Sequence, residues 1–144
     1  VRTITNNLTA RFFNPETHFI KLFEELSAKQ SKMGNFECEL NFNNLTNWES
    51  ISNNIKINCY RILQESFQNI NKYASASKVQ IDFKRDGENI LMKIHDNGVG
   101  FNTKKKNKGI GLKNMRSRAE TINSKIEFIS SVGKGTQIAM TIPL

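Results

Sequence analysis

The chain has 144 residues, 38% hydrophobic and 24% charged, the size and make-up of one ordinary domain able to bury a core without disulfides or metal. No apolar run approaches the roughly 18 residues needed to cross a bilayer, which excludes a helical membrane span within this sequence. The formal net charge of +8 suits anionic partners, yet no aromatic residues are interleaved with the basic run Lys104, Lys105, Lys106 and Lys108, so nucleic acid is not expected as the main partner.

Val1 is an unusual natural start, so the sequence is expected to be a piece of something longer, with any targeting segment lying upstream. Cys38 and Cys59 stand far apart on apolar-facing positions and are expected to be reduced core thiols. His18 and His95 have no partner at zinc-ligand spacing, so a zinc centre is not expected.

Val1, Ile4, Leu8 and Phe12 repeat at helical spacing and predict that the chain opens inside a helix. Asn14-Pro15-Glu16 supplies a cap, a proline suited to the first turn and an acidic group, predicting a second helix there. Its apolar stripe is Phe19, Leu22, Phe23 and Leu26, and Gly34 is its expected left-handed stop. Phe36, Cys38, Leu40 and Phe42 then alternate with polar residues as a half-buried strand, and Asn43 to Ser50 reads as a loop. Ile51, Ile55, Ile62, Phe67 and Ile70 return to helical spacing and predict the longest helix, from about Ile51 to Ala74. Val79, Ile81 and Phe83 form a strand, Asp86-Gly87 a hairpin turn, and Ile90, Met92 and Ile94 the returning strand. Beyond the lysines, Leu112, Met115, Ala119 and Ile122 predict another helix, and the strands Lys125 to Ser130 and Thr136 to Ile142 meet across Gly133-Lys134-Gly135. The pattern is α+β, with helices and mainly antiparallel strands sharing one pair of layers.

That returning strand ends in Asp96-Asn97-Gly98-Val99-Gly100, a carboxylate able to accept a hydrogen bond from an amine beside glycines that let backbone pass beneath a flat ligand. Gly109-Ile110-Gly111-Leu112 repeats the glycine pair before a helix whose free N–H groups could receive phosphate. On the long helix, Glu65 and Asn69 project from one face with Lys72 a turn further on. There a carboxylate can orient or deprotonate a nucleophile, an amide oxygen suits Mg²⁺, and an ammonium can neutralise phosphate. Together these read as a nucleotide site.

The ordered set of Glu65 to Asn69, Asp96-x-Gly98-x-Gly100, Gly109-x-Gly111-Leu112 and Gly135-Thr136 ahead of Ile142-Pro143 resembles the histidine-kinase-like ATPase family. The resemblance implies the Bergerat fold, a two-layer α/β sandwich whose mixed, largely antiparallel sheet is covered by about three helices. Residues 1–33 look like the end of the dimerisation and phosphotransfer region and its connecting helix in a bacterial sensor kinase. They would precede a catalytic ATP-binding domain at 34–144. The short stretch from Asn102 to Lys108 and the few residues after Pro143 are similar to the subfamily paired with helix-turn-helix response regulators.

By that resemblance, Asp96 would accept the adenine amino group, with Gly98 and Gly100 making room for the base and Thr136 helping to hold Asp96. Asn69 would ligate Mg²⁺, Lys72 would approach the phosphates, and Gly109, Ile110, Gly111 and Leu112 would close over the triphosphate. Glu65 would polarise the attacking group, although an acidic neighbour of the acceptor histidine is an alternative base. The implied activity is transfer of the ATP γ-phosphoryl group to a histidine on an upstream helix, and then to a response regulator. The parent would be a homodimer, its kinase domain cytoplasmic and its body open to anchoring in the inner membrane. Tyr73-Ala74 stands where the family often has His-Ala, and neither His18 nor His95 lies in a phosphoacceptor setting, so this piece should not phosphorylate itself. An anti-sigma-factor-type serine kinase and a non-catalytic nucleotide-binding module of the same fold are the competing readings.

Overall fold

The computed structural model describes residues 18–43, 51–100 and 111–144. In chain order these form α1 (Phe19–Gly34), β1 (Glu37–Asn43), α2 (Asn53–Asn69), a π-helical turn (Ile70–Ala74), β2 (Lys78–Asp86), β3 (Asn89–Asp96), α3 (Leu112–Thr121), β4 (Lys125–Ser130) and β5 (Thr136–Pro143). The strands make one five-stranded sheet in the order β1-β2-β3-β5-β4. β1 runs parallel to β2, and the remaining neighbours are antiparallel.

Strand alternation decides which face is dry. Val79, Ile81 and Phe83 of β2, Ile90, Met92 and Ile94 of β3, and Ile138, Met140 and Ile142 of β5 all point into one core, while Lys84, Lys93 and Thr141 at alternate positions are exposed. The helices cover that inner face. α2 contributes Cys59, Ile62, Leu63 and Phe67, and α3 contributes Met115 and Ala119. Ser66 of α2 satisfies its buried hydroxyl by donating to the Ile62 carbonyl at 2.8 Å, which lets a polar residue face Met115 across the helix pair. On the other side of α3, Arg116 lies over the Phe128 ring of β4 at 4.9 Å, shielding that edge strand. The two-layer sandwich expected from the sequence is therefore what the chain forms, with three helices among the described residues.

An aromatic cluster joins α1 to this core. The Phe23 ring is fully buried and meets Phe19 at 4.3 Å and both Tyr60 and Phe83 at 5.4 Å, edge to face in each case. Phe42 of β1 stacks on Phe83 at 5.0 Å, and Phe36, just ahead of β1, stacks on Phe67 at 6.1 Å, so rings tie β1 to β2 beside its ladder and tie the entry to β1 to α2. Cys59 lies within the core, where burial pushes its thiol up to about 12, and Cys38 is half-buried; both are free.

Four local expectations are corrected. His18 has extended backbone at the N-cap of α1, so the helix carrying the Phe19 stripe begins after it, and His18 is not inside a helix; Asn14 to Thr17 lie outside the described residues. Gly34 remains helical, and Asn35 takes the left-handed conformation at φ 55°. Glycine is needed at 34 for space, because a side chain there would run into Asn71 and the Phe36 ring. The long helix does not stay α-helical to Ala74, since Ile70–Ala74 widens into a π turn closed by left-handed Ser75. Finally, Asp86 pairs with Asn89, which shifts the tight turn of the β2–β3 hairpin to Gly87 and Glu88.

Candidate functional site

Asp96 is the last residue of β3, the central strand, and pairs with Val79 on β2 and Thr136 on β5. Its side chain is 5% exposed, and one carboxylate oxygen accepts a hydrogen bond from the Gly98 N–H at 2.9 Å. Burial pushes this carboxyl above its ordinary range, opposed by the Gly98 N–H, the neighbouring His95 and the Thr136 backbone N–H. The Thr136 hydroxyl lies 2.9 Å from the Ser130 hydroxyl, so Thr136 supports Asp96 through its backbone. The result is a lone, partly satisfied carboxylate held at the end of a rigid strand, suited to a ligand that donates a hydrogen bond.

A raised carboxyl pKa fixes the sign of a pH effect. Asp96 favours the folded state when protonated, so its contribution is fully present below the unfolded value of about 3.9 and is lost as pH rises through the raised folded value. Asp96→Asn cannot titrate. Urea unfolding measured from pH 4 upward should therefore show the stability of the variant relative to the parent protein rising through that window and then holding constant. A relative stability of the variant that stayed flat or fell as pH rose through the window would contradict the burial.

The loop after Asp96 is stitched to two other segments. The Val99 N–H donates to the Ala74 carbonyl at 2.7 Å, and the Gly133 N–H of the β4–β5 loop donates to the Val99 carbonyl. Gly98 lies so close to Ala74 that any side chain would meet the Ala74 carbonyl and methyl group. This gives a physical reason for a small residue at 74 and for glycine at 98 that stands before any ligand is considered. Gly100, at φ 66°, faces the backbone of Ser131 and Gly135 in the same way.

Glu65 and Asn69 occupy the last turns of α2 and both are half-buried. A side chain on Gly111 would strike the Glu65 carboxylate, which places Glu65 at the N-terminus of α3. That terminus has left-handed Gly111 as its cap and no acidic residue in its own first turn, so a carboxylate from α2 complements its dipole, an interaction worth about 0.3–1 kcal/mol. Leu112 opens α3 and packs against the core. Lys72 is exposed on the π turn, and the wider turn changes its bearing relative to Asn69 from that of a regular helix. Gly109, Ile110 and the lysine run lie outside the described residues. Among the described residues no three His, Cys, Asp or Glu side chains gather as a metal cluster.

One residue of the site escaped the sequence reading. Asn97 accepts hydrogen bonds from the Ser77 and Lys78 N–H groups at 2.9 and 3.0 Å and donates to the Ser77 hydroxyl at 2.9 Å. The only sequence signal was an asparagine between a strand and a glycine, which is also the signature of an ordinary turn.

Residues 54–144 match the family described as histidine kinase-, DNA gyrase B-, and HSP90-like ATPase. The chain belongs to that family. ATP is the ligand that membership of this ATPase family implies. By sequence the chain is similar to the oxygen sensor histidine kinase NreB of Staphylococcus carnosus, 30% identical over 112 residues, which are 76% of this chain and 32% of the relative. The chain thus spans about a third of the length of that curated relative. In fold it is similar to the blue-light activated histidine kinase of Erythrobacter litoralis, with a TM-score of 0.71 and 16% identity over 85% of this chain and 40% of the other. It is likewise similar to the histidine kinase AdeS of Acinetobacter baumannii, with a TM-score of 0.67 and 16% identity over 87% of this chain and 62% of the other. No helix among the described residues is long and apolar enough to cross a membrane.

Proposed function

We propose that the chain is the ATP-binding catalytic part of a sensor histidine kinase, passing the γ-phosphoryl group of ATP to a histidine on an upstream helix of the parent. The observation that carries this reading is the buried Asp96 carboxylate, raised by burial and aimed from the central strand, with a glycine loop sewn down beside it. In this reading Asp96 accepts the adenine amino group, and Gly98, Gly100 and Thr136 shape its surroundings. Lys72 and the segment Gly109, Ile110, Gly111 and Leu112 serve the phosphates. Residues 1–33 close the dimerisation and phosphotransfer region with its connecting helix, which docks on the catalytic domain formed by 34–144. A response regulator receives the group, and the parent works as a homodimer.

Mg²⁺ fits the donors present. The Asn69 carboxamide oxygen is a hard ligand near the Glu65 carboxylate, and Mg²⁺ needs only one or two such groups when phosphates and water complete its shell. Asn69 would hold the ion, which would neutralise charge on the transferring phosphoryl group. Glu65, whose carboxylate lies beside Gly111 at the α3 terminus, would orient the attacking group. Catalysis of this type is positioning and charge neutralisation.

The test supplies the parent's upstream helices in trans with radiolabelled ATP. Acid-labile, base-stable phosphohistidine should appear on those helices only with Mg²⁺ and should be lost with Asn69→Ala. Phosphoserine on an added protein substrate would favour the anti-sigma type of kinase. Saturable ATP binding with no transfer to any acceptor would favour a regulatory module.

A further inference from the structure

Beyond its ladder partners Val79 and Thr136 and the Thr136 N–H on its carboxylate, three sets of contacts hold the strand end that carries Asp96. Gly98 returns a backbone bond to the carboxylate itself. The β4–β5 loop presses on it through Gly135, where a side chain would strike the Asp96 carbonyl. The third is Asn97, whose backbone N–H donates to the Lys78 carbonyl at 3.2 Å and whose side chain makes three further bonds to Ser77 and Lys78. Strand alternation turns Asn97 away from the buried Asp96 carboxylate. Its outer side borders an open polar depression of about 640 Å³ shared with Ser31, Lys32, Asn35 and Lys78. Asn97 therefore lies away from any ligand held by Asp96 and acts on it only through the backbone.

Resting on the reading of Asp96 as the adenine contact, we propose that Asn97 is a positioning residue that sets the selectivity of this site for a 6-amino over a 6-oxo purine. A hydrogen bond weakens steeply once its angle falls below about 120°, so the amino group is rewarded only while Asp96 is held still. A 6-oxo purine presents an oxygen to the same carboxylate and is rejected only if the carboxylate cannot swing aside. The Asn97 clamp stops that swing. It ties the end of β3 to the start of β2 just after left-handed Ser75, the point where the chain leaves the π turn.

The experiment measures ATP and ITP affinity by calorimetry at pH 8, well above the ordinary carboxylate range, for the parent protein, Asn97→Ala, Asn97→Asp and Ser77→Ala. Asn97→Ala should lose about tenfold in ATP affinity and less than about twofold in ITP affinity, narrowing the ratio. Asn97→Asp keeps an oxygen for both N–H groups and should stay within about threefold of the parent for ATP. Ser77→Ala removes one outer bond and should narrow the ratio by about twofold to threefold, which carries the test should Asn97→Ala fail to fold. An unchanged ATP to ITP ratio in the folded variants, or an equal loss for both nucleotides, overturns the proposal. A parent protein that binds neither nucleotide overturns the functional reading instead.

Discussion

Replacing Asp96 with alanine is expected to weaken ATP binding about ten- to a hundredfold, the loss of a charge-assisted hydrogen bond worth about 1.5 to 3 kcal/mol. The domain should remain folded, because burial already makes the ionised carboxylate a cost to the nucleotide-free protein. Asp96→Asn should be as damaging to ATP while keeping an oxygen for the Gly98 N–H, since its amide would face the adenine amine with donors. Calorimetry on the two folded variants checks both statements. Parent-like affinity in either would remove Asp96 from the adenine contact.

Truncating Phe23 to alanine is expected to cost about 3–5 kcal/mol of unfolding free energy, a large share of the roughly 5–15 kcal/mol that holds an ordinary domain together. The ring is fully buried and touches Phe19, Tyr60 and Phe83 on three different elements, so the cavity has no flexible neighbour to fill it. Phe23 also lies before residue 54, where the family match begins. Urea denaturation showing a loss under about 1 kcal/mol would mean that α1 is a dispensable attachment. The expected loss would mean that a protein shortened to the matched residues lacks part of its own core.

Most of the architecture was legible because burial writes a period into the sequence. Val79, Ile81 and Phe83 alternate on β2 as they do in the chain, and Asp96 falls where the apolar alternation of β3 runs out. What was hidden depends on neighbours distant in sequence. Nothing in Phe36 to Phe42 says that β1 will run parallel to β2, since that direction is set by the crossover through α2. Ile70 to Ala74 has the composition of regular helix, and a single wide turn does not disturb the apolar period enough to be read. The space filled by Asn71 over Gly34, and the Ala74 carbonyl beneath Gly98, exist only after folding. For the same reason the glycines could be read as room for a ligand before they could be seen as room for the protein itself.

The π turn also bears on which length changes the chain can absorb. Such a turn is what a helix makes when it accommodates one residue more than the regular α geometry holds. Removing one residue between Asn69 and Ala74 would let α2 run on as ordinary helix, so the cost in backbone hydrogen bonding would be small compared with a deletion inside Asn53–Asn69. The cost would fall on bearing, because Lys72 would swing around the helix axis while Glu65 and Asn69 stayed where they are. Natural variation in length at this point would thus leave Glu65 and Asn69 in place and re-aim Lys72, with the contacts of Asn71 to Gly34 and Gln30 as the part of the scaffold that must readjust.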